Sequence, residues 1–224
     1  MCSSDLEDKL GTNPYQFGMI GSSDSHTALA AIEEDNYFGK HAGTEPNKDR
    51  YKHPMAKMGD KEYKGYSPLA SGWAAVWAEE NTRASIFDAM QRKETYATTG
   101  SRMIVRFFGG WEFDEKDANN RLPAKVGYAK GVPMGGNLSM IPEGKKAPTL
   151  LVGALKDPIG GNLDRIQIVK GWVDAKGEMK EKVYDVAWSG DRKLDDKGKL
   201  PAVGNTVDVA SATWTNTIGA TELA

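Results

Sequence analysis

The hydrophobic positions fall into two regimes that meet near residue 100. Before it, short unbroken apolar runs alternate with helix-forming stretches. Residues 16–20 form the first run, ended by Gly21, and their composition predicts a strand buried on both faces. Residues 27–34 are rich in helix formers. Residues 73–77, with two tryptophans around Ala-Ala-Val, predict a second buried strand. A helix follows over 83–93, with Asn81 or Thr82 as its cap, Ile86, Phe87 and Met90 as its apolar stripe, and Arg92 and Lys93 at the negative end of its dipole.

Past Gly100 the helical period disappears and strand-like segments recur at 103–108, 149–155, 163–173, 182–188 and 206–214. Residues 166–172 and 183–188 alternate as half-buried antiparallel strands do, with a hairpin loop over 174–178 between them. This pattern predicts an α/β or α+β unit over 1–104 and a β-sandwich-like domain over 105–224. Residues 36–68 lack apolar periodicity and predict a long loop of the kind used as a lid or binding segment.

Charge narrows the function classes. Lys+Arg number 29 and Asp+Glu 31, a net charge of -2, so no single-sign field draws the chain to nucleic acid or to an anionic membrane. Cys2 is the single cysteine and closes no internal disulfide. No run approaches the ~18 apolar residues of a membrane helix. The start reads as the last turns of a helix closed by Gly11, and the end follows closely on a strand and a turn, so a fragment of a longer protein is expected.

The most informative stretch is Gly21-Ser22-Ser23-Asp24-Ser25-His26. In an extended backbone positions i and i+2 share a face, so Asp24 and His26 converge, and a carboxylate beside an imidazole suits a divalent cation. An aspartate between a strand and a helix is also an ordinary cap. Lys40, Arg50 and Arg102 are candidates for contacting an anionic substrate, Arg102 because it follows a Thr-Thr-Gly turn. His41 and His53 read as solvated loop residues. The aromatics of the β-rich half read mainly as core, with a sugar-binding platform as the other use.

Ser23-Asp24-Ser25-His26 resembles the late metal-binding Ser-Asp-x-His motif of the PHP (polymerase and histidinol phosphatase) superfamily. The wider set, residues 13–27, 77–83, 96–100 and 162–167, resembles the DUF3604 family, whose members carry a PHP-like domain. The resemblance implies the C-terminal part of a distorted (β/α)7 barrel with divalent metals, zinc, manganese or iron, held at the strand ends. It implies hydrolysis by metal-activated water, most often of phosphate esters, with Asp24 and His26 as ligands and a small anionic substrate. It also leans toward an exported or periplasmic protein. The early His-x-His element of such sites is absent, since His26, His41 and His53 are the only histidines. The competing expectation is a noncatalytic module whose β-rich half binds a glycan or a protein.

Overall fold

A computed structural model of the chain describes residues 7, 10–13, 15–27, 40, 49, 54–64 and 72–224. Of the described residues 35% are strand and 12% helix, so small antiparallel sheets rather than β/α units carry the architecture. Strands β1 (Pro54–Met58) and β2 (Lys61–Lys64) form a hairpin within the stretch expected to be loop, turning at Gly59 with φ +60. β3 (Gly72–Val76) is followed by helix α1 (Arg83–Gln91) and β4 (Thr95–Thr99). The expected helix at 27–34 lies outside the described residues.

The barrel expectation is overturned at this point. A (β/α) barrel needs parallel strands joined through crossover helices. Here β3 and β4, which flank α1, pair antiparallel with Gly72 opposite Thr99 and Val76 opposite Thr95. No closed barrel forms among the described residues.

Helix α1 starts where its sequence directs. The Oγ of Thr82 accepts the main-chain N–H of Ser85 at 3.3 Å, which satisfies one of the amides left open at a helix start. Its end is closed by two bonds, Lys93 N–H to Met90 O at 2.9 Å and Glu94 N–H to Ala89 O at 3.0 Å, with Lys93 in the left-handed region at φ 61. The face turned inward differs from the expected stripe. Ala89 is fully buried, whereas Phe87 and Met90 are 58% and 46% exposed.

The first apolar run also departs from its reading. Residues 16–20 form no strand, and Phe17, Met19 and Ile20 are exposed. The run lies along β3 and β4 by its backbone alone: Gly21 N–H donates to Trp73 O at 3.1 Å, and Thr95 Oγ1 donates to Met19 O at 3.4 Å. Gly21 and Gly72 permit this approach, because a Cβ on Gly72 would meet Ser22 O at 2.4 Å.

In the β-rich half, β5 (Ile104–Gly110), β6 (Gly131–Pro133), β7 (Thr149–Leu155) and β12 (Glu222–Leu223) form one antiparallel sheet in the order β12-β7-β5-β6. Two helices that the strand pattern obscured, α2 (Glu115–Ala118) and α3 (Pro123–Lys130), supply the layer that a sandwich would take from a second sheet. Phe108, Phe113 and Leu151 form the buried cluster, with Ala118, Ala124 and Val126 packed on it. Two further pairs, β8 (Arg165–Val173) with β9 (Met179–Trp188) and β10 (Val207–Asp208) with β11 (Thr213–Trp214), are two-stranded. The segment expected as one strand over 206–214 is therefore a small hairpin.

Candidate metal centre

The loop after Gly21 is held by its own hydroxyls. Ser22 Oγ accepts the Asp24 N–H at 3.1 Å and Ser23 Oγ accepts the Ser25 N–H at 3.2 Å, two side-chain-closed turns in succession. They carry Asp24 to φ 57, a left-handed conformation that aspartate tolerates better than most residues. Asp24 and His26 thus converge through a turn rather than along the extended backbone that their spacing predicts.

The convergence is close. His26 Nδ1 lies 2.8 Å from the main-chain oxygen of Asp24 and 3.8 Å from its Oδ1. Both side chains face solvent, at 54% and 63% exposure for His26 and Asp24, so a ligand can reach them. The His26 main-chain N–H donates to Lys40 O at 2.7 Å and brings that distant residue in. The Lys40 side chain is 7% exposed; its ammonium pairs with the Asp24 carboxylate and donates to the Asp24 main-chain oxygen at 2.5 Å.

Of the two candidate cations among the described residues, Lys40 and Arg102, Lys40 is the one that meets the pair. The Arg102 guanidinium lies 5.2 Å from the Trp73 ring centre, and its main-chain N–H donates to Asp157 Oδ2 at 2.6 Å. That donor, followed by the Ile159 N–H, holds the Asp157 carboxyl below the usual carboxylate range. Arg50, His41 and His53 lie outside the described residues. Among the described residues no group of three or more His, Cys, Asp or Glu is placed to hold a metal.

A second polar cluster escaped the sequence reading. Glu94, 2% exposed, accepts from the Tyr128 hydroxyl and from Arg92 Nη2 at 3.3 Å, and Arg106 Nη1 lies 3.9 Å from it. The Arg106 guanidinium stacks 3.1 Å from the Trp77 ring centre. Burial, and then the bond to Glu94, push the Tyr128 hydroxyl up from its ordinary range. This cluster ties the residue after β3 and the end of α1 to β5 and α3. Its members are up to 51 positions apart, from Trp77 to Tyr128, so no local motif announces it.

The family model described as "Protein of unknown function (DUF3604)" matches residues 4–224. Among curated proteins, an uncharacterized protein of Chlamydia trachomatis serovar D is 30% identical over 106 residues, covering 47% of this chain and 16% of its own length. Altered inheritance of mitochondria protein 21 of Saccharomyces cerevisiae is 32% identical over 108 residues, with 46% and 17% covered. The chain spans about a sixth of the length of these relatives. No solved structure matches it. Among the described residues no helix is long and apolar enough to cross a membrane. The family match runs from Ser4 to the last residue, and the chain belongs to the DUF3604 family.

Proposed function

We propose that this chain carries part of the metal centre of a hydrolase with PHP-type site chemistry, with Asp24 and His26 as two of its ligands and phosphate esters as its substrate class. The barrel is no part of this reading. The observation that carries it is the 2.8 Å contact from His26 Nδ1 to the Asp24 main-chain oxygen. A carbonyl only accepts, so Nδ1 donates in this contact, and in the neutral imidazole that a metal requires the lone pair is then on Nε2. Metal-binding histidines are oriented in this way, through a bond from the other ring nitrogen to a carbonyl or carboxylate.

A bound divalent cation supplies a Lewis acid and a water activated near neutral pH. The chain's own residues do the rest. Ser22 and Ser23 fix the turn that aims the Asp24 carboxylate, and Lys40 holds that carboxylate and its main-chain oxygen with a buried ammonium. Lys40 is thereby a positioning residue for Asp24, and its charge is also available to an anionic substrate seated beside the pair. Two ligands do not complete such a site, and the further ligands belong to residues beyond those described here or to the remainder of a longer protein.

The test is hydrolysis of an aryl phosphate by the longest natural chain that carries these residues, before and after chelation. Asp24→Ala and His26→Ala are each expected to lower kcat/KM by roughly 100-fold or more, on the scale set by losses at metal-site partners. Hydrolysis that survives both chelation and the two substitutions would contradict the reading.

A further inference from the structure

We propose that one face of the β8–β9 ribbon binds an acidic oligosaccharide. The register sets Ile168 opposite Tyr184, Lys170 opposite Lys182, and Trp172 opposite Lys180. Directly opposed residues of an antiparallel pair share a face, so this face is a ladder of three rungs about 7 Å apart, with an aromatic ring on each outer rung and two lysines on the middle one.

Two carboxylates of the ribbon lie on its other face and two at its tip. Glu181 and Asp185 stand opposite Gly171 and Gln167 on the other face. Asp174 and Glu178, at the tip, lie 3.5 and 2.5 Å from the ammonium of Lys180, the residue opposite Trp172, and outweigh its charge, so the middle rung carries the positive charge of this face. Lys170 and Lys182 are exposed, and neither makes an ion pair among the described residues. Like charges directly opposite one another destabilise a strand pair. Their company is the rings alone: Lys170 Nζ is 5.0 Å from the Trp172 ring centre and Lys182 Nζ is 4.7 Å from that of Tyr184.

An anionic group on the middle rung that draws the two ammonium ions off the rings gains a charge-assisted bond from each. Rings on the rungs above and below offer flat apolar surfaces with a polar edge to what flanks that anion. A sugar carrying a carboxylate or a sulfate, with neighbouring sugar rings laid on Trp172 and Tyr184, has this pattern. A long polyanion fits less well. Its affinity grows with the number of cations it meets, whereas this chain has a net charge of -2 and four carboxylates on the other face and tip of the ribbon. This surface is independent of the Asp24/His26 pair.

The experiment is calorimetric titration of the chain with a galacturonate tetrasaccharide, its methyl-esterified neutral form, a heparin-derived tetrasaccharide and a single-stranded oligonucleotide. Binding of one acidic tetrasaccharide, with the ester or a neutral sugar at least about tenfold weaker, is expected, and which acid binds separates carboxylate from sulfate recognition. The Lys170→Gln/Lys182→Gln double variant and Trp172→Leu should each weaken it by about tenfold or more with unchanged thermal unfolding. No binding of either acidic sugar, equal binding of acid and ester, tighter binding of the oligonucleotide, or affinity unchanged in the folded variants would overturn the proposal. If a variant fails to fold, the acid-against-ester comparison on the unaltered chain still decides it.

Discussion

Gly135 joins the two halves of the chain at one point, and its replacement by alanine measures that junction. It follows β6 at φ +82, and a Cβ there would meet Lys93 O at 2.2 Å and Lys93 C at 2.5 Å. Both are backbone atoms at the end of α1, so no side chain can swing away to make room. The left-handed conformation costs an L-residue about 1–2 kcal/mol. Intruding on packed atoms costs a further 1–3 kcal/mol or so. The lost freedom of the unfolded chain returns about 0.4–1 kcal/mol. Net destabilisation is therefore about 1–5 kcal/mol. Gly177→Ala is the matched control, because Gly177 has φ +80 and nothing within 4 Å of the added carbon. Denaturant unfolding of the two variants isolates the close approach: Gly135→Ala should be less stable than Gly177→Ala by about 1–3 kcal/mol. Equal losses would refute the contact between the end of α1 and the turn after β6.

Gly127→Ala gains about 1 kcal/mol of helix propensity but sets a methyl 2.5 Å from three ring atoms of Phe108, which is 1% exposed and packed edge-on to Tyr128 at 5.1 Å; net destabilisation in a melting curve is expected. Lys93→Gly relieves the left-handed φ of 61 and should stabilise the chain by about 0.5–1 kcal/mol, as seen in the denaturation midpoint. Asp157 has a depressed folded-state pKa, so its contribution is fully present above the unfolded value near ~4 and is lost as pH falls through the folded one. Asp157→Asn should therefore lower stability at neutral pH and flatten the acid limb of the stability profile, with the difference from the parent closing at low pH.

Local chemistry made single elements legible, though not the architecture they build. The cap at Thr82, the strand at β7 and the alternation of β8 and β9 are written within a few residues of where they act. What the sequence concealed was long-range. The order strand, helix, strand around α1 reads as a crossover unit, yet the register of β3 on β4 reverses it, and that register is decided by tertiary pairing. The apolar run at Phe17, Met19 and Ile20 is chemically strand-like, but it meets β3 through the backbone and leaves its side chains exposed. α2 and α3 are short and only weakly amphipathic, so Pro123 at a first-turn position and the Asp114/Asp117 capping box were their available signals. The Asp24/His26 pair was found by its spacing, although the structure joins the two through a left-handed turn. Lys40 carries no mark of its partnership, because it lies 16 residues from Asp24, whose carboxylate and main-chain oxygen its ammonium meets.

The most direct test of the central claim is metal stoichiometry. The longest natural chain carrying these residues should be stripped with chelator and reloaded with manganese or zinc, beside Asp24→Ala and His26→Ala, with bound metal counted by elemental analysis and folding checked by circular dichroism. The account predicts stoichiometric metal in the parent and loss of at least one equivalent in each folded variant. Equal metal content in all three proteins would contradict it.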